Sequence, residues 1–141
     1  MKRFLIWTGL VVLLFALLGA GSHLARSASR EKVLVAIDVS VSLEEYKHRL
    51  PAALAFLSHN PYAEFKVVTN SPNRELAVLQ DWSPGLDLTA VRQIKMYTVF
   101  PLEKLLEFDE IRTADRIVFV TNQQDTEALE AVPRSRIVQV R

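Results

Sequence analysis

The sequence predicts an α/β fold, a mostly parallel central sheet with helices on both faces, preceded by one N-terminal transmembrane helix. Three observations carry this. Apolar, β-branched runs of strand length stand at 33–37 and 117–120, too uniformly apolar for strands with one face in water. Segments with helical spacing lie between them. Ahead of everything, residues 4–21 contain no charge.

That first run follows a basic start, Lys2 and Arg3, within residues 1–3. As a helix, its eighteen residues reach about 27 Å, close to the thickness of a hydrocarbon core. Trp7 near one end suits the headgroup boundary. The small residues Gly19, Ala20, Gly21 and Ser22 also fit a signal peptide, but the run exceeds the usual signal core of about 7 to 15 residues, so an anchor is expected over a cleaved signal. A single-pass membrane protein follows, with a stem at 22–30 and the domain at 31–141 on the extracytoplasmic side.

Within the domain, Lys32 to Val39 reads as a buried strand closed by Asp38. Ser42 and Glu45 then form a capping box, and Leu43, Tyr46, Leu50, Ala53, Leu54 and Leu57 recur at helical spacing to about Ser58, with Pro51 expected to kink or divide the helix. Phe65 to Thr69 and Leu76 to Leu79 flank Asn70-Ser71-Pro72-Asn73, which predicts a hairpin. Short helices are expected over Leu86–Ile94 and Leu102–Phe108, around a loop holding Tyr97 and Thr98. Ile117–Val120 is a second buried strand, and Ile137–Val140 a weaker last one. Loops at the carboxyl ends of such strands form the functional edge.

Composition removes several functions. Lys2, Arg3, Arg26 and Arg30 precede residue 31 without any acid, whereas from Glu31 onward 13 basic residues face 16 acidic ones, a balance of −3. A mildly acidic domain without a basic stripe does not bind nucleic acid well. The absence of cysteine excludes disulfides, thiol catalysis and Cys-based zinc sites. Gly-x-Gly-x-x-Gly and the serine hydrolase elbow are both missing, and His23, His48 and His59 lack metal-ligand spacing.

One motif is left. Asp38, Ser40 and Ser42 place three oxygen-bearing side chains at alternate positions between a buried strand and a helix start, and such hard oxygens suit a divalent cation. Here the chain resembles the von Willebrand factor A family, whose Asp-x-Ser-x-Ser signature after the first strand builds a metal-ion-dependent adhesion site. The resemblance implies Asp38, Ser40 and Ser42 as ligands of Mg²⁺ (or Mn²⁺ or Ca²⁺), with Thr98 as the ligand from a later loop and Asn122 at the fourth place. It also implies a protein partner whose acidic residue completes the metal shell. Thr121-Asn122-Gln123 stands where the family commonly has Thr-Asp-Gly, and Val41 where it has Gly, so the member is a reduced one with weakened metal binding.

Asp38 also resembles the nucleophile of haloacid dehalogenase-like phosphatases. That family needs a second acid two residues on, and Ser40 stands there. The expectation is therefore a non-enzymatic, membrane-anchored, adhesion-type module that binds a protein partner through strand-end loops, with Tyr97 and Trp82 as contact residues. The alternative is a structural component of a membrane assembly with a vestigial site.

Overall fold

The computed structural model describes residues 2–71, 73, 75–95, 100–123 and 126–140, with side chains described for all of these except 2–5 and 41–42. The chain divides into two units, Met1–Arg30 and Glu31–Arg141.

The first unit is one helix, α1, Lys2–Ala28. Its span from Ile6 to Ala28 is long and apolar enough to cross a membrane or to serve as a signal sequence. Apolar residues cover every face, so Trp7 and Phe15 are as open as any others along it. The helix continues through most of the segment expected as a stem, where Ser22 Oγ and Ser27 Oγ donate back to the carbonyls of Gly19 and Leu24.

The second unit is a five-stranded sheet in the order β3-β2-β1-β4-β5: β1, Glu31–Ile37; β2, Ala63–Asn70; β3, Leu76–Ser83; β4, Arg116–Thr121; and β5, Ser135–Gln139. β1 pairs in parallel with β2 and β4, and β4 with β5. β2 and β3 are antiparallel, so the sheet is mixed, which corrects the expectation of a mostly parallel one. The cause is the short 71–75 connection, which can join neighbours only as a hairpin.

The uniformly apolar central strands are explained by burial on both faces. Val33, Val35, Ile37 and Val39, with Val118 and Val120, point into one layer. Leu50, Leu54 and Leu57 of α2 (Leu50–Ser58) and Val91 of α3 (Leu88–Arg92) close that layer. Leu34, Ala36, Ile117 and Phe119 point the other way, against Leu105 of α4 (Leu102–Glu107) and Leu129 of α6 (Glu127–Glu130). A buried Val or Leu contributes about 1.5–3 kcal/mol, so the two layers hold the unit together.

The helix after β1 is divided, as Pro51 requires. Val41–Arg49 is a 3₁₀ helix, and α2 then restarts with Pro51 in its first turn, where a missing N–H costs nothing. The N-cap of the 3₁₀ helix is Ser40 rather than Ser42, and Ser40 makes no side-chain capping bond. In contrast, Asp87 caps α3 fully, its Oδ1 accepting from the N–H groups of Thr89 and Ala90 at 2.8 and 3.1 Å.

On the α4 face, Lys66 is buried under α5 (Asp109–Thr113). Its Nζ lies 2.6 Å from Glu110 Oε1, 3.0 Å from Asp81 Oδ1 and 5.6 Å from the centre of the Phe108 ring. Burial opposes its charge, yet the bonds and charges of Glu110 and Asp81 outweigh that and raise its pKa. Asp81 is shifted down, first by the Trp82 N–H it accepts and then by Lys66.

Candidate functional site

Strand order sets where a site can form. The chain leaves β1 through α2 on one face, toward β2, and leaves β4 through α6 on the other, toward β5. The connections therefore diverge between β1 and β4, opening a crevice at their carboxyl ends. Asp38 follows β1 there and Thr121 ends β4 beside it, while Asn70 ends β2 on the other side of β1.

Asp38 is only 5% exposed, and its contacts are all to the chain itself. Its backbone N–H donates to Val120 O at 2.9 Å, continuing the β1–β4 ladder. Oδ1 accepts from the Ser40 N–H at 3.0 Å, which bends the chain out of the strand. Oδ2 accepts from Thr121 Oγ1 at 3.0 Å and from Gln123 Nε2 at 2.9 Å. Thr121 Oγ1 also accepts the Gln123 N–H at 3.1 Å, so its hydroxyl is engaged on both sides. Beside them, the fully buried Asn70 uses Oδ1 to accept the Val39 N–H at 3.0 Å. Among the described residues, no Lys, Arg or His pairs with the Asp38 carboxylate.

Asp38 lines a pocket of about 100 Å³. Phe100, Leu102, Phe119 and Leu129 form apolar walls, Thr121 and Gln123 supply polar groups, and Ala128 lines it as an exposed residue. Among the described residues of this lining, Asp38 is the one that carries a charge.

The residues expected at the site are brought together in part. Asp38 and Ser40 are at the strand end, and Asn122 is beside them, half-buried. Gln123, not Asn122, bonds the carboxylate, because side chains alternate along the chain leaving β4 and Thr121 and Gln123 share a side. Tyr97 and Thr98, and the side chain of Ser42, lie outside the described residues. Trp82 is not in a loop. It lies in β3, packs against the Leu34 layer and has Lys32 Nζ 5.5 Å from its ring centre. Because Ser83 registers with Phe65 and Phe65 with Val33, Trp82 is at the amino end of β1, across the sheet from Asp38.

The sequence reading missed Asn70, Thr121 and Gln123. Thr121 and Gln123 repeat after β4 the alternation of Asp38 and Ser40 after β1, and that is the signal that marks them. Asn70 carries none, since an Asn beside Ser-Pro reads as a turn.

The described part of this set does not fit a hard divalent cation. Such an ion wants six or more oxygens, and here Oδ2 of Asp38 and the Thr121 hydroxyl are committed to protein donors, which leaves Oδ1 with one N–H and carbon walls around it. Among the described residues, no three His, Asp or Glu side chains cluster to hold a metal.

The fold and site together define an α/β domain with a carboxylate pocket at the point where its connections diverge. No family model and no curated protein matches the sequence. Among solved structures, the chain is similar to the three N-terminal domains of the type V pili tip protein Mfa5 from Porphyromonas gingivalis, with 13% identity and a TM-score of 0.44. The match covers 67% of this chain and 20% of that one, so this chain spans about a fifth of its length. A likeness at that level defines neither a fold family nor a function.

Proposed function

We propose that the protein is a membrane-tethered, non-enzymatic interaction domain of reduced von Willebrand factor A type, which binds a protein partner through the loops at the carboxyl ends of β1 and β4. One observation carries the reading: a pocket opens at that edge, lined by Asp38, whose carboxylate no cation of the described residues balances. Phosphoryl transfer is disfavoured because Oδ2 of Asp38 already receives two donors, and the position two residues on is a serine. The reading needs no divalent metal. A helix long enough to span a membrane at the N-terminus adds confinement, which raises the effective concentration of the domain at a membrane-bound partner.

The test is site-specific photo-crosslinking of the full chain in its host's membranes. A benzophenone amino acid is placed at Ala128, at the pocket, or at Thr113, which precedes β4 at the opposite edge of the sheet. Discrete protein adducts from Ala128, with few from Thr113, are expected. Adducts from Thr113 alone, or equally from both, reject the reading. A second reading, a structural part of a membrane assembly, draws on the fact that the chain's own donors take up Asp38, and it predicts the Thr113 outcome.

A further inference from the structure

We infer that the group this pocket receives is an alkylammonium, delivered as a lysine side chain of the partner protein, so that recognition at Asp38 runs by direct ion pairing and not through a metal. The inference rests on the reading of this edge as the binding edge and names what it binds.

The argument begins with charge. Carboxylates as buried as Asp38 are almost always paired, because removing an ion from water is costly. Among the described residues, the Asp38 carboxylate accepts three hydrogen bonds, all from neutral groups: a backbone N–H, a hydroxyl and an amide. These orient the carboxylate and soften the cost, but among the described residues no cation compensates its charge. A cation from outside would complete the site.

The walls decide which cation. Phe100, Leu102, Phe119 and Leu129 offer carbon, which a hydrated metal ion cannot use but a chain of methylenes can. Size agrees as well. A dry cavity of about 150 Å³ admits benzene, so about 100 Å³ holds on the order of four or five heavy atoms, the length of a lysine side chain beyond Cβ. An ammonium carries three donors and asks only for acceptors. Asp38 Oδ1, which takes a single N–H here, has lone-pair capacity left for it. Guanidinium fits less well, since its planar fork pairs best with both carboxylate oxygens and Oδ2 already has two donors. The domain balance of −3 from Glu31 onward favours approach of a basic partner.

The test uses the full ¹⁵N-labelled chain in detergent micelles, titrated separately with n-butylammonium, n-butanol, MgCl₂ and a Gly-Lys-Gly amide. Amide shifts at Asp38, Thr121 and Gln123 are expected with n-butylammonium, at a Kd about tenfold below that of n-butanol, since a charge-assisted bond replaces a neutral one. The Lys peptide is expected to bind at least as tightly. Asp38→Asn should remove the preference for the amine over the alcohol. Should that variant unfold, Ala128→Leu narrows the pocket from an exposed position and should weaken amine and alcohol alike, an unchanged amine affinity overturning the inference. Equal affinity for amine and alcohol overturns the inference, as does an Mg²⁺ shift of the same amides without an amine response. Tighter binding of the free amine than of the peptide overturns the assignment to a protein lysine. Amine binding without Ala128 adducts would refute the partner-binding reading and leave the pocket chemistry standing; adducts without amine binding would do the reverse.

Discussion

Lys66 offers the sharpest test of how the α4 face is held. Its side chain is 10% exposed and that of Glu110 23%, whereas that of Asp81 is 78% exposed, so the three charges differ in how much water they keep. Exposed pairs contribute up to about 1 kcal/mol, and breaking a buried pair costs about 3–5 kcal/mol. The Lys66–Glu110 pair lies between these limits. Lys66→Met is therefore expected to cost about 2 kcal/mol, and a double-mutant cycle with Glu110→Gln to give a coupling of about 1 kcal/mol. For a domain of this size that cost lowers the Tm by about 8 °C. Asp81→Asn should leave the midpoint within error, since its carboxylate returns to water.

The readout is urea unfolding followed by Trp82 fluorescence in a Trp7→Phe background, because these are the chain's two tryptophans. Direction with pH is a second check. The Lys66 pKa is raised, so its contribution is complete below its ordinary value of 10.5 and is lost as pH climbs through the higher folded-state value. Wild type should lose stability in that alkaline window and Lys66→Met should not. A coupling below about 0.3 kcal/mol, or identical alkaline profiles, would refute the assignment of the pair as a partly buried tie.

Three further outcomes follow from packing and bonding. Thr121→Val keeps the shape but removes the hydroxyl bonded to Asp38 and to the Gln123 N–H; a loss of about 2 kcal/mol in urea unfolding is expected, largely recovered by Thr121→Ser. Leu34→Ala empties a fully buried position in the central strand and should cost about 2–5 kcal/mol, seen as a lower midpoint with unchanged m. Asp87→Ala leaves two helix N–H groups uncapped and should cost about 1 kcal/mol, while Asp87→Asn retains most of the stability in the same thermal melt.

Much of the fold was legible because burial on two faces leaves a plain mark. β1 and β4 are uniformly apolar since Leu34 and Ile117 face one layer and Val35 and Val118 the other, and no one-faced strand reads that way. Pro51 announced the break between the 3₁₀ helix and α2 because its ring cannot sit inside a helix. Trp82 lies in β3 although the Ser83-Pro84-Gly85 that follows it favours a turn, because cross-sheet packing against the Leu34 layer, a nonlocal effect, holds it in the strand. α6 spans only Glu127–Glu130, too few residues to show a period. At the site, Asp38 stood out by its place at a strand end. Its real partners, Thr121 and Gln123, come from 83 and 85 residues away, a distance over which local pattern has no reach.

That same separation sets a clock on synthesis. β1 takes the middle of the sheet, yet the strand that closes its second edge ends at Thr121. At about 5–20 residues per second, the 83 residues between Asp38 and Thr121 take roughly 4–17 s to add, even after the first strand is complete. Through that interval the growing chain holds an apolar strand with at least one open edge, a template for wrong pairing. The closing bond from Thr121 to Asp38 thus marks the moment when β1 stops offering an open edge, the exposed edge passing to β4 until β5 is made.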